Sequence, residues 1–162
     1  MPRHGPALTR RTLLGTGALF ALGTMSPARS EPLPEVSVNK DPNCGCCTAW
    51  ADHLRAVGFP VKVAERPDMR AVKSRLGVPE ELASCHTAEV AGYVLEGHVP
   101  ASAVTRLLKE KPQGKGLAVP GMPIGSPGME GGAPETYGVM LFGAEPPRIF
   151  AIYRGSEALR NL

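Results

Sequence analysis

Three of the four cysteines in this chain occupy four consecutive positions, Cys44-Gly45-Cys46-Cys47. The residues before them, Val36-Ser37-Val38, alternate in the manner of a short strand. The residues after them repeat apolar side chains at helical spacing from Trp50 to Val57, and Gly58 ends the pattern. The motif is therefore predicted to lie on the first turn of a helix that follows a strand, which favours a small α/β sheet of the thioredoxin type.

The rest of the sequence alternates predicted strands and helices around this motif. Asn43 is predicted to cap the first helix. The later elements are, in chain order, a strand at Phe59–Ala64, a helix at Asp68–Leu76, a strand at Val90–Val99 with a turn at Glu96-Gly97, a helix at Ala101–Lys111, a long Gly/Pro loop at Pro112–Thr136 and a hairpin of Tyr137–Phe142 with Arg148–Tyr153. The predicted fold class is α/β, with a thioredoxin-like small sheet, flanking helices, the long loop and a C-terminal β-hairpin.

The first thirty residues have the composition of an export signal. They contain four arginines and no acid, and the run from Leu13 to Met25 is apolar apart from Gly and Thr. Arg10-Arg11 resembles a twin-arginine signal, and Ala28-Arg29-Ser30 is a small-x-small cleavage site. A membrane anchor is the alternative, but the run is shorter than the roughly 20 residues that a spanning helix needs. We expect cleavage after Ser30, a periplasmic location, and no membrane span in the mature chain.

Residues 31–162 are long enough for one domain with a modest core. Four of the 18 basic residues lie in the first thirty positions, which leaves 14 against 15 acids. The mature part is thus almost neutral and has no basic patch, so we expect no binding to nucleic acid.

The spacing of the cysteines decides what they do. In an oxidising compartment disulfides are the default, and a C-x-x-C at a helix N-terminus is the arrangement of redox proteins, because the helix dipole there favours thiolates. Cys46 breaks that pattern, since a third thiol inside the motif can form scrambled disulfides.

A single zinc ion also fits poorly, because structural zinc sites take ligands from two separated pairs. Three thiols in four residues favour several ions bridged by shared sulfurs, and soft thiolates select Cu(I), zinc or iron–sulfur clusters. Iron–sulfur clusters are rarer outside the cytosol, although a twin-arginine route can export a preloaded one.

Several side chains outside the cysteine motif are also candidate metal ligands. In a thioredoxin-type topology the segment entering the third strand passes the start of the first helix, so Cys85 is expected to face the motif; a buried apolar thiol is the alternative. His86 is a candidate fifth ligand, although neighbours in extended chain face opposite ways. Met122 and Met129 are soft thioethers in the loop, with core filling as the alternative. Two further histidines, His53 and His98, are expected to be ordinary surface or core residues.

Several long strings resemble the CopG-like family of periplasmic copper-resistance proteins, from about Val36 to Phe150. They are Lys40–Cys47 with Trp50, Ser84–Ala88, Gly97–Ala101 and Val119–Glu130. The resemblance implies a thioredoxin-like fold with a multinuclear copper–thiolate cluster on Cys44, Cys46, Cys47 and Cys85. It also implies a role in copper tolerance with Cu(I)/Cu(II) interconversion, and copper ions and other envelope copper-handling proteins as partners.

Three functions remain open on the sequence. The favoured one is a binding protein that holds Cu(I) on the four thiolates. The second is an enzyme, either a copper oxidoreductase or a thiol–disulfide oxidoreductase that uses Cys44 and Cys47. The third is a structural pair of disulfides, such as Cys44–Cys85 with Cys46–Cys47.

Overall fold

The computed structural model describes residues 1–2, 31–143 and 146–162. The signal peptide predicted for residues 1–30 therefore lies outside the described residues apart from its first two, as does part of the turn between the last two predicted strands. All elements below belong to Pro32–Leu162. Within the described ranges, no helix combines the length and the apolar character needed to cross a membrane.

The described part of Pro32–Leu162 is a mixed α/β fold, as predicted, with eight strands in one sheet and three α-helices. The elements are, in chain order, β1 (Val36–Lys40), α1 (Gly45–Ala56), β2 (Val61–Glu65), α2 (Met69–Leu76), β3 (His86–Val90), β4 (Tyr93–Glu96), α3 (Ala101–Glu110), β5 (Gly116–Ala118), β6 (Thr136–Phe142), β7 (Arg148–Arg154) and β8 (Glu157–Asn161). A short 3-10 turn, Glu80–Leu82, precedes β3. The strand order in the sheet is β2-β1-β3-β4-β5-β6-β7-β8.

Strand directions in the first half of the sheet follow from the connections between the strands. β1 and β2 are parallel because α1 crosses between them, and β4 and β5 are parallel because α3 does the same. β3 runs antiparallel to both of its neighbours. Its register places His86 opposite Lys40 of β1 and Thr87 opposite Glu96 of β4.

Helix α1 is held to the sheet by its apolar face. Trp50, Ala51 and Leu54 are fully buried there, at the spacing that the sequence predicts. The indole Nε1 of Trp50 donates a hydrogen bond of 2.9 Å to the carbonyl of Val99. This bond ties α1 to the segment that leads into α3.

The predicted cap of α1 is wrong. Cys44 is the N-cap residue and makes no side-chain capping bond. The side chain of Asp41 accepts the backbone N–H of Asn43 at 2.8 Å, so the turn before the helix is closed by Asp41. The first turn of α1 therefore begins at the cysteine motif, and its N–H groups have no acceptor within the helix.

The turn predicted at Glu96-Gly97, within the strand Val90–Val99, is also wrong. The chain turns at Ala91-Gly92, where both residues have positive φ (46° and 85°), and β3 and β4 lie on either side. Two positive φ values are the signature of the tight hairpin turns that match strand twist. Glu96 is fully buried at the end of β4 and is not part of a turn between paired strands.

The second half of the sheet contains two strands that the sequence did not predict. β5 lies inside the predicted loop Pro112–Thr136, and β8 follows the predicted hairpin. β6 and β7 pair antiparallel, as the predicted hairpin requires. All five residues of β8 are exposed on the edge of the sheet, which explains why they lack an alternating pattern.

Candidate metal centre

The pairing of β1 with β3 brings the two cysteine segments to one edge of the sheet. The chain leaves β1 at Lys40 and reaches Cys44 four residues later. Because β3 is antiparallel to β1 and begins at His86, opposite Lys40, Cys85 arrives at the same edge.

The ends of β4 and β5 extend this edge. β4 ends at Glu96, opposite Thr87, so His98 emerges beside the cysteines. β5 is parallel to β4 and ends at Ala118, so the loop 119–135 starts at the same edge. The sheet topology alone therefore gathers the cysteines, two histidines and the methionine-containing loop.

The four sulfurs lie within 4.8 Å of one another. Cys44 and Cys47 form a disulfide with a Cα–Cα distance of 5.4 Å. The Sγ of Cys46 lies 3.5 Å from that of Cys44 and 4.0 Å from that of Cys85, and both Cys46 and Cys85 are free thiols. The pairing suggested for a purely structural role, Cys44–Cys85 with Cys46–Cys47, is not the pairing found.

The environment of Cys85 favours the protonated thiol. Burial, followed by the nearby Cys46, raises the pKa of Cys85 to about 12. The hydroxyl of Ser84 lies 4.0 Å from the sulfur and acts in the opposite direction. A metal ion that binds here must displace this proton, which makes its affinity increase with pH.

His98 lies beside Cys85, although its sequence context predicts an ordinary surface or core histidine. Its Nε2 lies 3.1 Å from the Sγ of Cys85, and its Nδ1 lies 2.8 Å from the carbonyl of Pro127. A carbonyl only accepts, so Nδ1 carries the proton and Nε2 presents a lone pair to Cys85. Burial lowers the pKa of His98, while the Pro127 carbonyl and Glu130 oppose that shift. This fixed tautomer is the arrangement that metal-binding histidines use.

His86 also contacts the sulfur of Cys85. Its Nδ1 lies 3.3 Å from that atom, and the ring packs against Trp50 with a centroid distance of 4.3 Å. Burial, together with His98 and Lys73, lowers the pKa of His86 well below its ordinary value. Its Nε2 is buried without a hydrogen-bond partner among the residues described. The ring is thus neutral, and its donor atoms and those of Cys85 and His98 lie within 4.8 Å of one another.

His53 has a structural role, as expected from the sequence. Its Nε2 accepts the backbone N–H of Ala101 at 3.1 Å, which satisfies a free donor at the start of α3. Burial lowers the pKa of His53, and Glu130 partly opposes this.

The loop with Met122 and Met129 is fastened beside the cysteines. The hydroxyl of Ser84 donates to the carbonyl of Gly121, next to Met122. Gly128, next to Met129, packs so tightly on α1 that a Cβ placed there would lie 2.6 Å from the carbonyl oxygen of Cys46. Met122 is half exposed (51%) and Met129 is partly buried. The loop therefore brings the backbone of both methionines next to the cysteine segments.

Comparisons with known proteins identify the relatives of this chain. Residues 82–129 match a family described as "Protein of unknown function, DUF411". No match was found among curated proteins. A solved structure titled "Copper resistance protein copG- Form 1" is 47% identical over 77% of this chain and 100% of its own, with a TM-score of 0.71. A second, "Copper resistance protein copG- Form 2", is 46% identical over 75% of this chain and 98% of its own, also with a TM-score of 0.71. Identity at this level over so much of both chains confirms the resemblance seen in the sequence, and the chain belongs to the family of the copper resistance protein CopG.

Proposed function

We propose that this protein is an exported copper-binding protein that holds Cu(I) on the thiolates of Cys44, Cys46, Cys47 and Cys85 and contributes to copper resistance. The observation that carries the proposal is the approach of all four sulfurs to within 4.8 Å at one edge of the sheet. Thiolates are soft ligands and select Cu(I) over harder cations. Sulfurs this close together can bridge neighbouring ions, which supports a multinuclear site.

Copper loading of all four sulfurs requires that the Cys44–Cys47 disulfide be open. A thiol reductant opens it by supplying two electrons, and two protons complete the two thiols. Each thiol that becomes a ligand then loses its proton to solvent.

Copper itself can exchange electrons with the same pair of cysteines. Two Cu(II) ions that oxidise the Cys44 and Cys47 thiols yield two Cu(I) ions, one disulfide and two protons, and the reverse reaction oxidises two Cu(I) ions. This balanced exchange supports the proposed interconversion of Cu(I) and Cu(II). In the oxidised state the free thiols Cys46 and Cys85 remain as copper ligands.

Four neutral donors complete the proposed ligand set around the thiolates. They are His86 and His98, which contact Cys85, and Met122 and Met129, which lie in the fastened loop. Imidazole suits both oxidation states of copper, while thioethers favour Cu(I). We therefore propose that the histidines bind copper on the Cys85 side of the site and that the methionines bind it from the loop.

We also propose that the first half of the fold is thioredoxin-like. The supporting features are the strand order β2-β1-β3-β4, with β1 and β2 parallel and β3 and β4 antiparallel, and the C-x-x-C at the start of α1. Export to the periplasm rests on the arginine-containing N-terminal sequence, and the proposed partners there are copper ions and other envelope copper-handling proteins.

One observation favours a second function. The Cys44–Cys47 disulfide at the N-terminus of α1 is also what a thiol–disulfide oxidoreductase requires. That function needs Cys44 and Cys47 but neither Cys46 nor Cys85, whereas the copper function needs all four.

A titration with Cu(I) of residues 31–162 under anaerobic conditions tests the proposal. The fully reduced protein is compared with protein in which the Cys44–Cys47 disulfide is retained. We expect more than one copper per reduced chain and a lower number for the oxidised chain. Equal copper uptake by both forms would contradict a role for Cys44 and Cys47 as ligands. Disulfide exchange activity retained in both Cys46→Ala and Cys85→Ala, with no copper bound by the reduced protein, would establish the second function.

A further inference from the structure

A buried carboxylate lies directly behind the segment that carries Cys85. Glu96 has no exposed surface and ends strand β4. A buried charge is costly unless it is paired and hydrogen-bonded. Glu96 is therefore a residue whose presence needs a specific reason.

The partners of Glu96 lie on both sides of Cys85-His86. Its Oε1 accepts the backbone N–H of Ser84 at 2.6 Å, and its Oε2 accepts the hydroxyl of Thr87 at 2.7 Å. One carboxylate thus binds the residue immediately before Cys85 and the residue immediately after His86. The two bonds therefore hold the segment on both sides of Cys85-His86, in addition to the backbone bond that Gly97 donates to the carbonyl of His86.

Lys73 completes the network from helix α2. Its Nζ lies 2.5 Å from Oε1 of Glu96 and 3.0 Å from the hydroxyl of Thr87. The ammonium of Lys73 thus supplies the opposite charge that a buried carboxylate needs. A charged acceptor also forms stronger hydrogen bonds than a neutral one.

We propose that Glu96 is a positioning residue that holds Cys85 and His86 against the cysteine motif. This inference rests on the proposed role of Cys85 as a copper ligand. The hydrogen bonds of Glu96 go to Ser84 and Thr87 and not to the sulfur of Cys85, so its effect on the site passes through those two residues. Glu96 lies two residues before His98. One short segment therefore supplies both the His98 imidazole and the carboxylate that orders the segment Ser84–Thr87.

The first test needs no metal. In the oxidised protein Cys46 and Cys85 are the free thiols, so the ratio of their alkylation rates with iodoacetamide, measured by peptide mass spectrometry, reports on the protection of Cys85 relative to Cys46. Glu96→Gln keeps the size of the side chain, but its amide nitrogen cannot accept a hydrogen bond. We expect this variant to raise the ratio of the Cys85 rate to the Cys46 rate about tenfold or more, because Cys85 gains access to solvent.

Matched variants separate positioning from loss of stability. Tyr93→Phe removes a hydrogen bond from the other end of the same strand, where the hydroxyl donates to the carbonyl of Pro112, and should leave the ratio unchanged. Global unfolding would also raise the ratio, because it exposes the buried Cys85 thiol, so only variants that circular dichroism shows to be folded are compared. If Glu96→Gln does not fold, Thr87→Val removes one of the two bonds and should raise the ratio about threefold. A ratio within error of the wild-type value in a folded Glu96→Gln or, failing that, Thr87→Val protein would overturn the proposal.

A second measurement links the position of Cys85 to copper. In the reduced protein, competition with a chromophoric Cu(I) chelator should give an affinity at least tenfold lower for Glu96→Gln than for wild type, and a wild-type affinity for Tyr93→Phe. An unchanged affinity in folded Glu96→Gln would contradict the role of Glu96 at the copper site. If the wild-type protein binds no copper, the proposed function fails, while the ratio of thiol rates still decides whether Glu96 positions Cys85.

Discussion

Replacing Gly128 by alanine tests whether the methionine-containing loop is pressed onto the cysteine motif. Gly128 has a φ of +89°, and an added Cβ would lie 2.6 Å from the carbonyl oxygen of Cys46 and 2.8 Å from the backbone nitrogen of Trp50. Both contacts are with helix backbone, which cannot move aside as a flexible side chain would. Alanine at positive φ costs about 1–2 kcal/mol, and overpacking adds about 1–3 kcal/mol. We therefore expect Gly128→Ala to lower the free energy of unfolding by about 2–5 kcal/mol.

Gly121 provides the matched control, because it lies in the same loop at a φ of +69° and an added Cβ meets nothing within 4 Å. Gly121→Ala should cost only the backbone term of about 1–2 kcal/mol. Urea unfolding of both variants, followed by circular dichroism, gives the difference between their free energies of unfolding. We expect Gly121→Ala to be more stable than Gly128→Ala by about 1–3 kcal/mol. Equal unfolding free energies for the two variants would refute the close packing of this loop on α1.

Two further predictions concern the supports of the site. Burial lowers the pKa of His53, so the folded protein binds fewer protons at this residue than the unfolded chain does. The stability that the neutral His53 ring contributes is therefore lost as pH falls below about 6.5 and through the folded pKa. His53→Gln, whose amide oxygen can accept the N–H of Ala101, should reduce the loss of stability between pH 7 and pH 5 measured by urea unfolding, and an unchanged pH profile would contradict this. Trp50→Phe removes the bond to the carbonyl of Val99 and leaves that buried acceptor unpaired, so we expect a loss of about 2–4 kcal/mol in the free energy of unfolding. A loss below about 1 kcal/mol would show that the indole N–H contributes little.

The proximity of Cys85 to the motif could be predicted because it depends only on topology. The cysteine motif follows the end of β1. Any strand that pairs antiparallel with β1 begins beside that end, so the residues that lead into it lie next to the motif whatever their side chains are. The disulfide between Cys44 and Cys47 also follows a spacing that is visible in the sequence. Neither inference needed exact strand boundaries.

The role of His98 could not be predicted because the turn before it was misplaced. Glu96-Gly97 has the composition of an exposed turn, but Glu96 is buried and compensated by Lys73, which lies 23 positions earlier in the chain. The true turn uses Ala91 at positive φ, which is rare for a residue with a side chain. With the turn at Ala91-Gly92, β4 runs toward the cysteines and delivers His98 to them.

The missed strands have a different cause. β5 has three residues and begins with glycine, so it carries no periodic pattern. β8 is an exposed edge strand in which no face is selected for burial. Both strands form because a neighbouring strand offers hydrogen bonds, which is information that the local sequence does not contain.

The central claim is that Cys85 joins the cysteine motif in one copper site, and the most direct measurement is the number of Cu(I) ions bound per chain by wild type and by Cys85→Ser. Residues 31–162 are reduced anaerobically, the thiols are counted, and copper is measured after removal of excess Cu(I). We predict four thiols and more than one copper per wild-type chain, and fewer copper ions in Cys85→Ser because that variant loses a thiolate that lies 4.0 Å from Cys46. The same copper count in both proteins, or no copper in the wild type, would contradict the account.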